Sequence, residues 1–351
     1  MNVVLLILPS LVLIALGYVL KHHLHYGDDF WAGVERLVFY VLFPPLLLMS
    51  VAKAPFTIGN DLRFICVSVG AMLIAVVIAY FSPRLFPKIH QLTHASVFQC
   101  GFRFNSYIAF ALCWPLLGSD GFALLALLIA VWVPMGNVFA ITALANGARR
   151  AEEERREAVR ERRAVAGLPD DEPGAEPGED EFTRSGRSLF YTIMTNPLII
   201  ATVIGFAWNM LGIPFPDTLG HVLKQMGQCG IVLGLLGIGA HLKFAGLSGH
   251  MIKFISWATL QKIVLVPMVA FVMLLILPLH PVAAQTLILF AALPTGQSCY
   301  PMTAAMGGDT DSVASVTTMQ TLLAMVTMPL FILLGEVLFP IATASGAGVW
   351  P

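Results

Sequence analysis

The sequence predicts an all-α membrane protein with about ten spanning helices, arranged as two inverted five-helix repeats. Three observations support this fold class. Of the 351 residues, 57% are hydrophobic and only 12% are charged, whereas a soluble domain usually carries about 25% charged residues. Apolar stretches of spanning length follow one another along the chain, and the first half resembles the second half. Lipid must therefore surround most of the protein.

The apolar stretches divide the chain into two groups of five. A helix needs about 20 largely apolar residues to cross the hydrocarbon core. Segments of this kind lie near residues 2–20, 34–52, 62–82, 95–118, 121–145, 190–211, 218–242, 252–279, 282–306 and 311–338. We therefore predict a first repeat over 1–145, a linker over 146–187 and a second repeat over 188–351.

The predicted linker fixes the expected orientation in the membrane. Its stretch 149–163 is dense in charge and can form a short helix, whereas 168–182 is rich in Pro, Gly and acidic residues and cannot bury a core. Lys and Arg mark cytoplasmic loops, and the linker holds nine arginines. We expect a multi-pass protein of the cell inner membrane, with the linker in the cytoplasm and both ends of this chain outside.

An internal repeat relates the two halves. A shift of 188 residues aligns Pro9 with Pro197, Gly17 with Gly205, and Asp29 with Asp217. Further on, Ser106-Tyr107 aligns with Cys299-Tyr300 at a slightly larger offset. Because each half has an odd number of crossings, the second copy is expected to be inverted. Inverted repeats are typical of secondary transporters, which hold substrate near the midplane at discontinuous helices in corresponding positions.

Arg103 is the most informative candidate for a binding residue, because it is the only arginine well inside a predicted span. A charge at the bilayer centre costs about 3 kcal/mol on insertion scales, which indicates a compensating role. A planar guanidinium can clamp a substrate carboxylate through two parallel hydrogen bonds. There are two alternatives to this clamp. Arg103 could form a structural ion pair, or its side chain could reach the membrane surface.

Other candidates lie where the fourth and ninth spans are expected to unwind. Gly101, Pro294 and Pro301 are the predicted break residues. Polar side chains there can bind substrate or satisfy the broken backbone, and these candidates are Asn105, Gln297, Ser298 and Tyr300.

Lys262 lies inside the eighth predicted span. It could pair with a carboxylate, bind substrate or take the place of a coupling cation. The alternative is that its side chain reaches the interface.

The sequence gives no indication of an enzyme. Gly307-Gly308-Asp309 resembles the aspartate motif of intramembrane proteases, but no second intramembrane aspartate completes a dyad. Asp309 and Asp311 are more simply explained by the dipole of the helix that follows them. No phosphate-binding GxxxxGK[ST] motif is present, so ATP-driven pumping by this chain is not expected. We expect no cofactor, no metal and no nucleic-acid partner.

Five segments together resemble the auxin efflux carrier family. They are ERLVFYVLFPPLLLMSVA in the second span, FRFNSYIAFALCWPLLG in the fourth, GLLGIGAHL in the seventh, QKIVLVPMV in the eighth and LPTGQSCYPMTAAMGGD in the ninth. The resemblance implies an antiporter-like fold, shared with bile-acid symporters, in which spans four and nine cross at their broken midpoints. It also implies a carrier of organic anions such as auxin, malonate or malate. One departure is that the fourth span has no proline beside Asn105.

We therefore expect a secondary active transporter of small organic anions that works by alternating access. The alternatives are a sodium-coupled, bile-acid-like symporter and a membrane receptor that binds ligand without transport. The expected partners are the organic anion and membrane lipid. The sequence leaves open whether H⁺ or Na⁺ drives transport and whether the protein forms a homodimer.

Overall fold

A computed structural model describes residues 3–53, 58–165, 197–242, 249–296 and 298–341. All regular structure in these residues is helical. The helices of the first half are α1 (Val3–His22), α2 (Asp28–Leu37), α3 (Phe43–Ala52), α4 (Ile58–Tyr80), α5 (Ser82–Leu85), α6 (Gln91–Phe98) and α7 (Ser106–Val165). Those of the second half are α8 (Pro197–Met210), α9 (Asp217–Ala240), α10 (Gly249–Leu260), α11 (Val266–Ile276), α12 (Pro281–Ala292), α13 (Cys299–Ala305) and α14 (Thr310–Leu338).

Several of these helices can cross a membrane. Within the described residues, six helical stretches are long and apolar enough, and three further apolar helices are shorter. Large apolar side chains face outward on them: Leu275 is 68% exposed and Val337 is 76% exposed. Such a surface requires lipid as its solvent. The structure confirms an all-helical, multi-pass arrangement, and the inverted ten-span arrangement stays a prediction.

Two of the spanning helices contain a π-helical turn. The turn Val38–Leu42 joins α2 to α3, and the turn Gln261–Leu265 joins α10 to α11. A proline follows each turn, Pro44 in one case and Pro267 in the other. Proline removes one backbone donor from a helix, and a π turn widens the local hydrogen-bond ring, a feature often found at functional sites.

Gly118 divides the long helix α7. Its φ of 65° lies in the left-handed region, which glycine enters without steric cost. The predicted fourth span ends at this residue. Beyond it, α7 continues to Val165, so residues 146–165 of the predicted linker are helical. The remainder of the linker, 166–187, lies outside the described residues.

Glycines bring two helix pairs into close contact. A Cβ at Gly17 of α1 would overlap the backbone carbonyl of Leu236 in α9. A Cβ at Gly205 of α8 would lie 2.7 Å from the carbonyl oxygen of Leu48 in α3. Neither position has room for a methyl group, so glycine is required for both pairs to pack this closely.

Helix α12 lies at the centre of the protein. Its residues from Ala283 to Ala292 are all buried. Leu293 directly after it is also fully buried. The break that follows α12 therefore lies deep inside the fold, where its backbone groups need protein partners.

Candidate functional site

Two helices are interrupted in the middle of the protein, at the positions predicted from the sequence. After α6, a single 3₁₀ turn ends at Gly101, and the helix resumes at Ser106. After α12 ends at Ala292, the helix resumes at Cys299. Pro294 lies inside this second break, as predicted. Gly101 fits tightly, because a Cβ there would lie 2.6 Å from the Gln261 amide nitrogen.

The two breaks contact each other directly. The Asn105 N–H donates to the Pro294 carbonyl at 2.8 Å. The Thr295 hydroxyl donates to the Cys100 carbonyl at 2.7 Å. Gly296 lies so close to the Phe104 carbonyl that no Cβ would fit. Residues far apart in the chain thus meet through their backbone groups at one point.

Gln320 of α14 satisfies backbone groups from both breaks. Its amide oxygen accepts from the Thr295 N–H at 3.0 Å. Its amide nitrogen donates to the carbonyls of Cys100, at 3.3 Å, and Ala258, at 3.2 Å. The side chain is 0% exposed. Since an unmatched polar group is costly in this environment, Gln320 stabilises the meeting of the two breaks.

Asn105 caps the N-terminus of α7. Its side-chain oxygen accepts from the N–H groups of Tyr107, at 3.1 Å, and Ile108, at 3.2 Å. The residue is only 1% exposed, and its Nδ2 atom has no hydrogen-bond partner. Buried amide donors are nearly always paired. This unpaired N–H₂ group at a positive helix end is thus a candidate donor to an anion.

Arg103 joins the two breaks through its side chain. One guanidinium nitrogen donates to the Gln99 amide oxygen at 3.2 Å and contacts the Met302 sulfur at 2.9 Å. The other donates to the Ser298 hydroxyl at 2.9 Å. Within the described residues, no carboxylate forms an ion pair with Arg103. The structural ion pair considered from the sequence is therefore not found there, and the positive charge has only neutral partners.

The remaining candidates of the second break lie on both sides of Cys299. Ser298 directly precedes α13 and accepts the bond from Arg103. Tyr300 lies in the first turn of α13 and is partly exposed. Gln297 lies outside the described residues.

The prediction for Pro301 is wrong. It is not a boundary of the break but lies within the first turn of α13. The break ends at Ser298, and α13 begins at Cys299. Pro301 can lie in the first turn of this helix because N–H groups there have no intrahelical partner.

Lys262 lies at a separate point, in the π turn between α10 and α11. It is 0% exposed, so the side chain does not reach the interface. Its ammonium donates to the Ala291 carbonyl at 3.1 Å. No ion pair with a described carboxylate is found. A role for Lys262 in binding substrate stays a prediction.

Asp309 caps α14, outside the spanning segment. Its carboxylate accepts from the Ser312 N–H at 3.0 Å, the Ser312 hydroxyl at 2.7 Å and the Thr93 hydroxyl at 2.7 Å. Burial acts to raise the pKa of Asp309, but the hydrogen bonds from Ser312 and Thr93 outweigh it and lower that pKa. The carboxylate thus lies at the start of α14, where it caps the helix, and it also ties α14 to α6.

Sequence reasoning missed three buried glutamines around the crossing. Gln99 donates to the Thr303 hydroxyl at 2.8 Å, and Gln261 donates to the Ala75 carbonyl at 3.1 Å. Gln320 forms the bonds given above. Each is at most 2% exposed. The sequence feature that could have identified them is a glutamine inside an apolar span, because a polar side chain there needs a buried hydrogen-bond partner.

Among the residues that the structure describes, the site combines cationic and neutral donors without an anionic partner. Arg103 and Asn105 can hold an anion, and Gln320 holds the backbone in place. The part of the chain that the structure describes contains no cluster of His, Cys, Asp or Glu suited to a metal ion. Helical spans that surround a buried polar site are typical of membrane transporters.

Comparison with known proteins agrees with this class. A family model described as membrane transport protein matches residues 2–332. The chain therefore belongs to this family, the auxin efflux carrier family, which confirms the resemblance in the sequence. No curated protein matches the chain. Members of this family are transporters rather than enzymes.

Proposed function

We propose that the protein is a secondary active transporter of small organic anions, such as carboxylates or auxin-like acids. The observation that carries the proposal is Arg103, a cation at the crossing with no carboxylate partner among the described residues. A charge so placed is costly in a membrane protein, and such charges usually mark a functional site. A substrate carboxylate would supply the missing counter-charge and accept two parallel hydrogen bonds.

Asn105 supports the same proposal independently. Its unpaired Nδ2 group lies two residues from Arg103, in the same break. The N-terminus of α7 adds partial positive charge at this point. Substrate binding would then use Arg103, Asn105 and, across the crossing, Ser298. The sequence adds Gln297, Tyr300 and Lys262 as further candidates.

The glycine contacts support the inverted repeat, an arrangement common among carriers that use alternating access. The shift of 188 residues that aligns Gly17 with Gly205 also aligns Leu48 with Leu236. Gly17 packs on Leu236, and Gly205 packs on Leu48. Each half therefore contributes a glycine and a leucine to two equivalent contacts, as a pseudo-twofold axis would produce. We accordingly propose two inverted five-helix halves, 1–145 and 188–351, that cross at the breaks.

Flux measurements in proteoliposomes test the transport proposal. Radiolabelled malonate, malate and indole-3-acetate are offered under separate pH, Na⁺ and membrane-potential gradients. Saturable uptake of at least one anion, absent from protein-free liposomes, is expected. Saturable binding without uptake would instead favour a receptor, and uptake that requires Na⁺ would favour the bile-acid-like symporter.

The proposed orientation is tested by cysteine labelling. We place the protein in the cell inner membrane, with the linker in the cytoplasm and both ends of the chain outside. Cysteines introduced at Ala175 and at Ala347 should react with an impermeant maleimide from opposite sides. The unmodified chain, with its exposed Cys66 and Cys229, gives the background. Labelling from the same side would contradict both the orientation and the inverted repeat.

A further inference from the structure

Lys262 is a fully buried lysine with an unusual partner. Its side chain is 0% exposed, and its ammonium donates to the Ala291 backbone carbonyl at 3.1 Å. No described carboxylate lies within ion-pair distance of it. Removing a charge from water without an ionic partner is costly. The charged form of Lys262 is therefore stable only if the surroundings of Ala291 offset its charge.

Those surroundings are the C-terminal end of a broken helix. Ala291 lies in the last turn of α12, which ends at Ala292. The last four carbonyls of a helix have no intrahelical partner, and they carry the partial negative charge of the helix dipole. Residues 290–293 are all 0% exposed, so water does not satisfy these carbonyls. The side-chain nitrogen of Lys262 donates to one of these carbonyls, that of Ala291.

The π turn holds Lys262 at this point. Gln261, its neighbour in the same turn, donates to the Ala75 carbonyl of α4 at 3.1 Å. The same amide packs against Gly101 of the first break. The turn is thus fixed to α4 and to the crossing, and Lys262 extends from it to the end of α12.

In transporters with discontinuous helices, carbonyls at half-helix C-termini coordinate the coupling Na⁺. An ammonium brings the same unit charge to the same kind of oxygen. We propose that Lys262 is a built-in cation that stands in the place of a coupling ion at the end of α12. The carrier then needs no bound Na⁺, and Lys262 acts as a positioning residue for the second break. The role of α12 in transport rests on the proposed function, whereas the occupation of its end by a cation does not.

Melting temperatures of the purified protein test this proposal without a substrate. Wild type, Lys262→Ala and Lys262→Gln are compared in NaCl, KCl, choline chloride and methylammonium chloride at equal ionic strength. Lys253→Ala is the control, since Lys253 lies on α10 and is exposed. Wild type and control should melt at the same temperature in all four salts.

The variants at Lys262 should become cation-dependent. Lys262→Ala is expected to melt lower than wild type in choline, which is too large to enter. Na⁺ or methylammonium should raise its Tm by about 2 °C when present about tenfold above Kd. Lys262→Gln, which keeps one donor but no charge, should show the same recovery from a smaller initial loss.

Three results would overturn the proposal. One is a Tm for folded Lys262→Ala and Lys262→Gln that is the same in every salt. Another is a Tm of wild type that rises in Na⁺ alone, because that would show a separate sodium site. The third is failure of both variants to fold even in NaCl. These melting tests use no substrate, so their outcome does not depend on whether the protein carries an anion. Failure of this proposal can therefore be told apart from failure of the proposed function, which is tested by flux.

Discussion

The guanidinium of Arg103 donates to the Ser298 hydroxyl at 2.9 Å, and this bond joins the two helix breaks across 195 residues of sequence. Ser298 is the last residue before α13, and Arg103 lies three residues before α7. Both partners are therefore positioned by irregular backbone, which can rearrange more easily than a helix. A substrate carboxylate can replace the neutral hydroxyl as the partner of Arg103.

Arg103→Lys should weaken anion binding while the protein still folds. Lysine keeps the charge but loses the two parallel hydrogen bonds of the guanidinium. Loss of a charge-assisted bond of about 1.5–3 kcal/mol corresponds to about a ten- to a hundred-fold lower affinity. Isothermal titration and Tm should be measured on the same preparations, with the anion that the flux panel identifies. Wild-type affinity in folded Arg103→Lys would exclude the clamp.

The two functions of Asn105 can be separated by substitution. Asn105→Ala removes both the cap of α7 and the free amide, so stability should fall by about 1 kcal/mol and binding should weaken. Asn105→Asp keeps an oxygen for the N–H groups of Tyr107 and Ile108 but replaces the free donor with negative charge. This variant should melt near the wild-type temperature and bind the anion more weakly than Asn105→Ala. Equal binding by Asn105→Asp and wild type would remove Asn105 from the site.

The breaks could be predicted from local sequence, but their partners could not. Gly101, Asn105 and Pro294 are residue types that end or cap helices, and the structure places all three at the breaks. Gly118 likewise ends a span because it adopts a positive φ. Pro301 is the exception: it lies in the first turn of α13, and a proline there has the same local sequence signal as a proline at a break.

The missed contacts all depend on tertiary packing. The bond between Asn105 and Pro294 and the contacts of Gln320 join residues whose relative position is set by the crossing itself. Periodicity and composition indicate which face of a helix is apolar, but they do not fix which carbonyl a buried amide reaches. The partner of Lys262, the carbonyl of Ala291, could not be inferred for the same reason.

Asp309 should make stability depend on acid pH. Its pKa is lowered in the folded protein by hydrogen bonds from Ser312 and Thr93, against the effect of burial. The ionised carboxylate thus contributes stability that is complete above the unfolded-state pKa of about 3.9. That contribution is lost as the pH falls through the lower folded-state pKa.

The measurement compares wild type with Asp309→Asn in thermal melts from neutral to acid pH. The Tm difference between them should be constant down to about pH 5 and should narrow below about pH 4. Asp311→Asn is the control, because Asp311 lies in the same first turn and its side chain is exposed. A difference between wild type and Asp309→Asn that widens as the pH falls would contradict the assignment.

The glycine pair gives a test of the inverted repeat that needs no ligand. Gly17→Ala should force α1 away from the Leu236 carbonyl, and Gly205→Ala should force α8 away from the Leu48 carbonyl. Overpacking of this kind costs about 1–3 kcal/mol. Because the two contacts are equivalent in the proposed repeat, both substitutions should lower Tm. Gly17→Ala should lower it more, since its Cβ would overlap the Leu236 carbonyl oxygen, whereas the Cβ of Gly205→Ala would lie 2.7 Å from the Leu48 carbonyl oxygen.

Gly33→Ala is the matched control for this pair. Gly33 lies within α2, and a Cβ there meets no atom within 4 Å. Alanine should therefore leave Tm unchanged or raise it slightly, since it favours a helix over glycine by about 1 kcal/mol. A large loss of Tm for Gly17→Ala combined with none for Gly205→Ala would show that the two contacts are not equivalent. That outcome would remove the structural support for a pseudo-twofold axis. The support that this symmetry lends to an alternating-access mechanism would then be lost as well.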